Sequence, residues 1–224
     1  MCSSDLFSDV TINTSNSDVT IGTIDGGTTN GAFAFYVNNG SGNIVAGNVG
    51  LNVKLKSLTF TGTGNTNIGT VDTTNGYDLG PDRGLTLNAD TTYNNPTDLV
   101  LGAITLADNV TITLGNGNSG VISVKSISGT AGGSSGVLSG KSNVTINSTG
   151  AVTIIGAIGT DIGTLTITNS GGTTFSSTVN ATTVTLTNTT GTIAFNGALT
   201  ATTLNTAAQA YNLALNAKIG RAHV

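Results

Sequence analysis

The sequence predicts an all-β chain wound as a single-stranded, right-handed parallel β-helix, a β-solenoid of about 20 residues per coil. Three observations lead there. Apolar residues recur in columns stepping by 19 to 21 positions: Ile146, Ile167, Leu186; Ile154, Phe175, Phe195; Ile158, Val179, Leu199. Within each short segment they alternate with Thr, as in Thr183-Val184-Thr185-Leu186-Thr187. Period two puts Val and Leu on one face of a strand and Thr on the other. The composition is also poor in helix formers. All 11 acidic residues are Asp, none is Glu, and Thr supplies about a fifth of the chain.

The elements follow in order. Val10 and Ile12, Val19 and Ile21, then Ile24 make three short strands of a first coil. Corners fall at Asp25–Gly31, Asn38–Asn43, Asn116–Gly120 and Asn169–Gly172, where Asn, Gly, Asp and Ser tolerate tight bends. "GAFAFYV", Gly31–Val37, reads as a strand. Asn75–Asp98 holds both Pro residues and several charges, and Ser128–Asn143 is rich in Gly and Ser. Both read as irregular loops leaving the rod. From Val144 to Leu215 the three-beat figure repeats evenly. One coil cannot bury its apolar inside alone, so coils must stack, each strand pairing in parallel with its copy. Asn169 and Asn188 end equivalent strands and are expected to stack as an internal amide ladder. The apolar columns resume on both sides of the irregular stretches, which predicts one continuous solenoid over residues 7–218. About ten coils then give a rod of about 50 Å.

The two ends are read as non-native. One back-translation of "MCSSDL", with a GTG start codon, is GTG TGC TCT TCC GAT CT, whose reverse complement in another frame encodes Ile-Gly-Arg-Ala-His, the residues Ile219–His223. Two unrelated protein ends have no physical reason to be reverse complements. Residues 1–6 and 219–224 therefore read as a sequencing-adapter scar, with Lys218 at the junction, and the remainder as an internal fragment. The scars hold the one Cys (Cys2) and the one His (His223), so neither is a candidate nucleophile or metal ligand.

Charge and hydropathy narrow the function classes. Net charge is −4, charged residues are 8% of the chain, and Lys and Arg are scattered. That is no basic stripe for nucleic acid. The longest apolar run, Ala151–Gly159, is too short to span a bilayer. Without native Cys no disulfide framework is possible.

"TLTITNSGGTTFSSTVN" and "ATTVTLTNTTGTIAFNGALTATTLN", with the lack of Trp and the wealth of Thr, Asn and Gly, resemble the passenger repeats of bacterial autotransporters and filamentous-haemagglutinin-like exoproteins. The resemblance covers Val144–Leu215 and is looser from Phe7 to Asn143. It implies a stalk exported to the outer surface of a Gram-negative-type cell, in adhesion or biofilm formation. Its implied partners are host or matrix glycans or proteins met by weak multivalent contact, with neighbouring coils of a longer chain at both ends.

Candidate sites are few. Asp78, Asp82 and Arg83 cluster in the Pro/Gly loop. Carboxylate clusters on a solenoid face serve Ca²⁺ binding or acid–base cleavage of polysaccharides. Here the reading is a solvated loop with a local Asp–Arg contact, since the carboxylates sit on no repeated strand and no Gly-Gly-x-Gly-x-Asp nonapeptide occurs. Thr164 and Thr166, Thr183 and Thr185, and Thr203 form outward ladders of the kind some ice-binding β-helices carry; strand propensity and solubility explain them as well. Phe33, Phe35 and Tyr36 are candidates for a sugar-binding aromatic patch; Phe33 and Phe35 share a face and read as core, and Tyr36 as the exposed ring. "GKS" at Gly140–Ser142 lacks the first Gly of a phosphate-binding loop. Lys54, Lys56, Lys125 and Lys141 read as solvated faces or edge protection. No Ser/His/Asp set can be built. No catalytic, cofactor-binding or metal-ligating residue is assigned, and no cofactor is expected. The expected function is a structural, adhesive stalk segment at the cell surface or outside the cell. A polysaccharide lyase or hydrolase is the alternative and an ice-binding surface a distant third.

Overall fold

The computed structural model describes residues 4–94, 96–130, 140–209 and 211–220. Among them there is no helix. Every strand pairing is parallel. The chain is a β-solenoid of about 10 turns with roughly 21 residues per turn. Each coil has three sides, here A, B and C in chain order. In the first coil they are Val10–Asn13, Val19–Ile21 and Ile24–Asp25.

Alternation builds the core. On side B one inner column runs Val19, Ile44, Thr66, Leu85, Ile104, Ile127, Ile158, Val179, Leu199 and Ile219. On side C, Ile24, Val49, Val71, Tyr93, Leu114, Ile146, Ile167 and Leu186 stack in turn. On side A, Leu101, Val124, Ile154, Phe175 and Phe195 do the same. The nine residues of the three columns read from the sequence are all sealed from water, whereas Ile219, at the open end of side B, is 42% exposed. Phe175 and Phe195 stack with ring centroids 4.7 Å apart and planes at 14°. The registers repeat a coil–coil contact whose stability is close to a sum of neighbour terms.

Three local expectations change. Residues 75–98 do not leave the rod. They complete a coil, with strands at Tyr77–Asp78, Gly84–Leu87 and Thr91–Tyr93 on sides A, B and C. Leu85, Leu87 and Tyr93 are inner-column residues, and burying them outweighs the turn chemistry of Pro81. The strand expected over Gly31–Val37 is Ala34–Asn38, because Gly31 takes a positive φ of 74° at the corner before it. The inner ladder at the end of side C is made of hydroxyls, not amides. Ser148, Ser170 and Thr189 are buried, and Ser170 Oγ lies 3.0 Å from Thr189 Oγ1. Asn169 is half-buried and Asn188 exposed. The ladder sits one residue later because the chain turns inward immediately after each Asn.

Of the Gly/Ser-rich stretch 128–143, residues 131–139 lie outside the described residues, as do Cys2 and His223. Where the ends are described, they follow the ladder. Ser4–Asp5 pairs with Ile24–Asp25, and Ile219–Gly220 with Leu199–Thr200. An open sheet edge accepts almost any backbone, so this registry is independent of where those residues came from.

Candidate functional site

The Asp78–Arg83 corner is taken apart by the fold. Asp78 points outward from side A, and its Oδ1 accepts the Gly80 N–H at 2.8 Å. Asp82 is exposed, with Lys125 Nζ 3.9 Å from its Oδ1. Arg83 is turned inside, with 0% of its surface exposed. The solvated loop with a local Asp–Arg contact is therefore corrected: Arg83 meets no carboxylate among the described residues. Its Nε donates to Thr66 Oγ1 at 2.8 Å. Its Nη1 donates to Asn39 Oδ1 at 3.0 Å and the Thr61 carbonyl at 3.2 Å. Its Nη2 donates to the carbonyls of Gly42 at 3.0 Å and Asn65 at 3.3 Å. Five N–H groups meet five neutral acceptors drawn from the two preceding coils. Burial pulls the guanidinium pKa below its ordinary value. Gly80, at φ 76°, makes the turn possible, and a Cβ there would press on the Arg83 stem at 2.9 Å. The signal for this residue was in the sequence: Arg83, Leu85 and Leu87 share one parity, hence one face.

The carboxylates have a common use. Corner Asp and Asn side chains reach one coil onward and accept a backbone N–H there. Asp9 takes Ala34, Asp18 takes Asn43, Asn43 takes Asn65, Asn48 takes Thr70, Asp90 takes Thr111, Asp98 takes Val121 and Asn143 takes Thr164, all at 2.7–3.0 Å. A corner N–H would otherwise lack a ladder partner. Coils lie about 4.8 Å apart, a gap that a two-torsion side chain spans. Glu would overshoot and lose more rotamer freedom, a physical reason for Asp as the sole acid.

The remaining candidates find plain places. Phe35 is buried, Phe33 packs partly against the core, and the Tyr36 hydroxyl lies 3.2 Å from Thr61 Oγ1. Ser142 of "GKS" is buried with Oγ donating to the Ala107 carbonyl at 2.7 Å, while Lys141 Nζ reaches Thr182 Oγ1 at 2.7 Å. That is a strand start, with no cradle of amides. Lys56 is exposed, while Lys54 pairs with Asp72 at 3.0 Å. The Thr ladders are longer than the repeat suggested. Thr92, Thr113, Thr145, Thr166 and Thr185 form one unbroken outward column on side C. Thr164, Thr183 and Thr203 form a second beside it. The 19-to-21 drift is absorbed in the corners.

Among the described residues, two recesses on the outer faces bear on function. One, of about 250 Å³ on side A, is lined by Ser57, Thr59, Asn75, Asp78, Thr97 and Asp98. Both its carboxylates already accept backbone N–H groups. The other, of about 310 Å³ on side C, is lined by Leu51, Thr70, Asp72, Thr92, Asn94 and Asn116. Sequence reading missed it, because residues 50–54 overhang Asp72 only once the coils stack. Behind it, Tyr77 and Tyr93 face each other in the core with centroids 6.0 Å apart. Burial raises both phenol pKa values above the ordinary one, and for Tyr77 the neighbouring Tyr93 and Asp72 add to the rise. Among the described residues no group of three His, Cys, Asp or Glu side chains is placed to hold a metal ion, and no helix is long and apolar enough to cross a membrane. Neither a family model, nor a curated protein, nor a solved structure matches the chain.

Proposed function

We propose that the chain is a structural, adhesive stalk segment of a large secreted or surface-displayed bacterial exoprotein of the autotransporter-passenger or filamentous-haemagglutinin-like type. One observation carries the reading: Asp9, Asp18, Asp90 and Asp98 act in bonds between coils, while long polar columns of Thr are left on the outside. A rod built this way offers many copies of a weak polar contact, and linkage of weak contacts raises avidity by about 10²–10⁴. The test couples the purified chain at high density to beads and flows them over matrix- or glycan-coated surfaces. Retention of beads, with undetectable binding by the single chain, is expected. Beads that pass freely, together with release of new sugar ends from a polysaccharide panel, would transfer the assignment to a polysaccharide-active enzyme. The coding sequence on either side, carrying an export leader and a C-terminal barrel or anchor, is the independent check.

The ice-binding reading has one observation in its favour, the unbroken Thr column on side C. A thermal-hysteresis measurement decides it: no hysteresis at high protein concentration removes it.

A further inference from the structure

We infer that the side-C recess beside Asp72 binds a neutral sugar ring, either free or as a unit of a glycan; this rests on the adhesive reading and names its ligand. The recess exists because the chain bulges after Val49. Asp25, 2% exposed in the coil before, holds the bulge: its Oδ1 accepts the Asn52 N–H at 3.0 Å and its Oδ2 the Asn52 amide at 2.8 Å. Gly50, at φ 72°, lies so close that a Cβ there would collide with the Asp72 carbonyl. The bulge is thus a fixed shelf. It carries Leu51, half exposed, which lines the recess, and Lys54, whose Nζ lies 3.0 Å from Asp72 Oδ2.

Below the shelf the chemistry is mixed in the way a sugar ring requires. A ring has C–H faces and hydroxyls that both donate and accept. Leu51 offers an apolar surface, Asn116 offers N–H donors, and Thr92 offers a hydroxyl, while Lys54 stands beside them on Asp72. Asp72 is the acceptor. A carboxylate has about four acceptor sites, and two are taken, by Lys54 Nζ and by Asn94 Nδ2. Asn94 is fixed in turn by a second bond from its amide to the Thr73 carbonyl at 3.4 Å, and its buried Oδ1 has no partner among the described residues. One ammonium and one carboxylate cancel, which favours an uncharged ligand over an acid. The volume, about 310 Å³, stands at the low end for small-molecule sites and suits one ring.

The experiment is saturation-transfer NMR on the full chain with methyl glycosides of neutral hexoses and, separately, a methyl glucuronide. Saturation of at least one neutral glycoside is expected, falling about tenfold or more in Asp72→Asn and in Leu51→Ser and unchanged in Asp82→Asn. Leu51 is on the surface, so Leu51→Ser keeps the test alive if Asp72→Asn does not fold. No saturation by any neutral glycoside, saturation untouched by both variants, or a preference for the glucuronide each overturns the inference. Bead adhesion separates the two readings. Sugar binding without adhesion leaves the site and removes the stalk's adhesive role; adhesion unchanged in Leu51→Ser, with no sugar bound, does the reverse.

Discussion

Replacing Arg83 by Met keeps most of the buried stem and removes five donors at once. The three carbonyls it strands, those of Gly42, Thr61 and Asn65, lie in two different coils. The three stranded buried acceptors together cost about 6 kcal/mol, at about 2 kcal/mol each. The Asn39 and Thr66 side chains can turn toward other partners, so they add less. The guanidinium's own desolvation cost, several kcal/mol, vanishes with the charge and offsets part of the loss. The balance is a destabilisation of about 3 kcal/mol. Urea melts followed by circular dichroism measure it. Coils of a solenoid can open separately, so amide exchange read by mass spectrometry must accompany the melts. Faster exchange is expected at 39–43, 61–66 and 80–84, with the coils after residue 140 unchanged. A Met variant as stable as the parent, or more stable, would refute the reasoning. It would mean that the acceptors never needed the cation and that its burial is a cost the fold tolerates.

Other outcomes can be checked the same way. Leu186→Asp puts an unpaired charge into a fully sealed column and should cost at least ~4 kcal/mol, opening neighbouring coils; unchanged urea melts would contradict the inward assignment. Tyr77→Phe removes a buried hydroxyl that has no partner among the described residues and should stabilise the chain by about 1 kcal/mol at neutral pH, which thermal melts will show. Both core tyrosines keep their protons in the folded state above the pH at which the unfolded chain loses them. Stability is therefore fully present below about pH 10 and falls as pH rises beyond it, by about 1.4 kcal/mol per unit for each tyrosine. A Tyr77→Phe, Tyr93→Phe double variant should flatten that fall. Asp90→Ala should cost about 1 kcal/mol and speed exchange at the Thr111 amide, whereas Asp82→Ala, on an exposed side chain, should stay within about 0.5 kcal/mol.

The part of the fold that local chemistry controls was readable in advance. Val144, Ile146, Leu165 and Ile167 alternate with polar neighbours, and alternation needs no knowledge of the rest of the chain to say which side faces in. The stretch 75–98 was misjudged because Pro81, Gly80 and the charged Asp78, Asp82 and Arg83 look like a loop in isolation. The parity of Arg83, Leu85 and Leu87 carried the opposite message, and a buried arginine is rare enough that charge is ordinarily read as exposure. The recess beside Asp72 had no sequence signal. It depends on Asp25 gripping Asn52, a pair 27 positions apart.

What the residues alone determined is the lapped, parallel winding and the identity of its inner columns. Side-chain parity along a strand and the spacing of repeats are properties of the chain itself. Only the tertiary structure decided which corner lies over which. Coil lengths along the side-B column vary, from 31 positions between Ile127 and Ile158 to 19 between Leu85 and Ile104. The partners of a corner side chain are therefore set by the sum of all the turns around it. The acceptors around Arg83, the Asp and Asn clamps and the shelf over Asp72 all arise from that stacking.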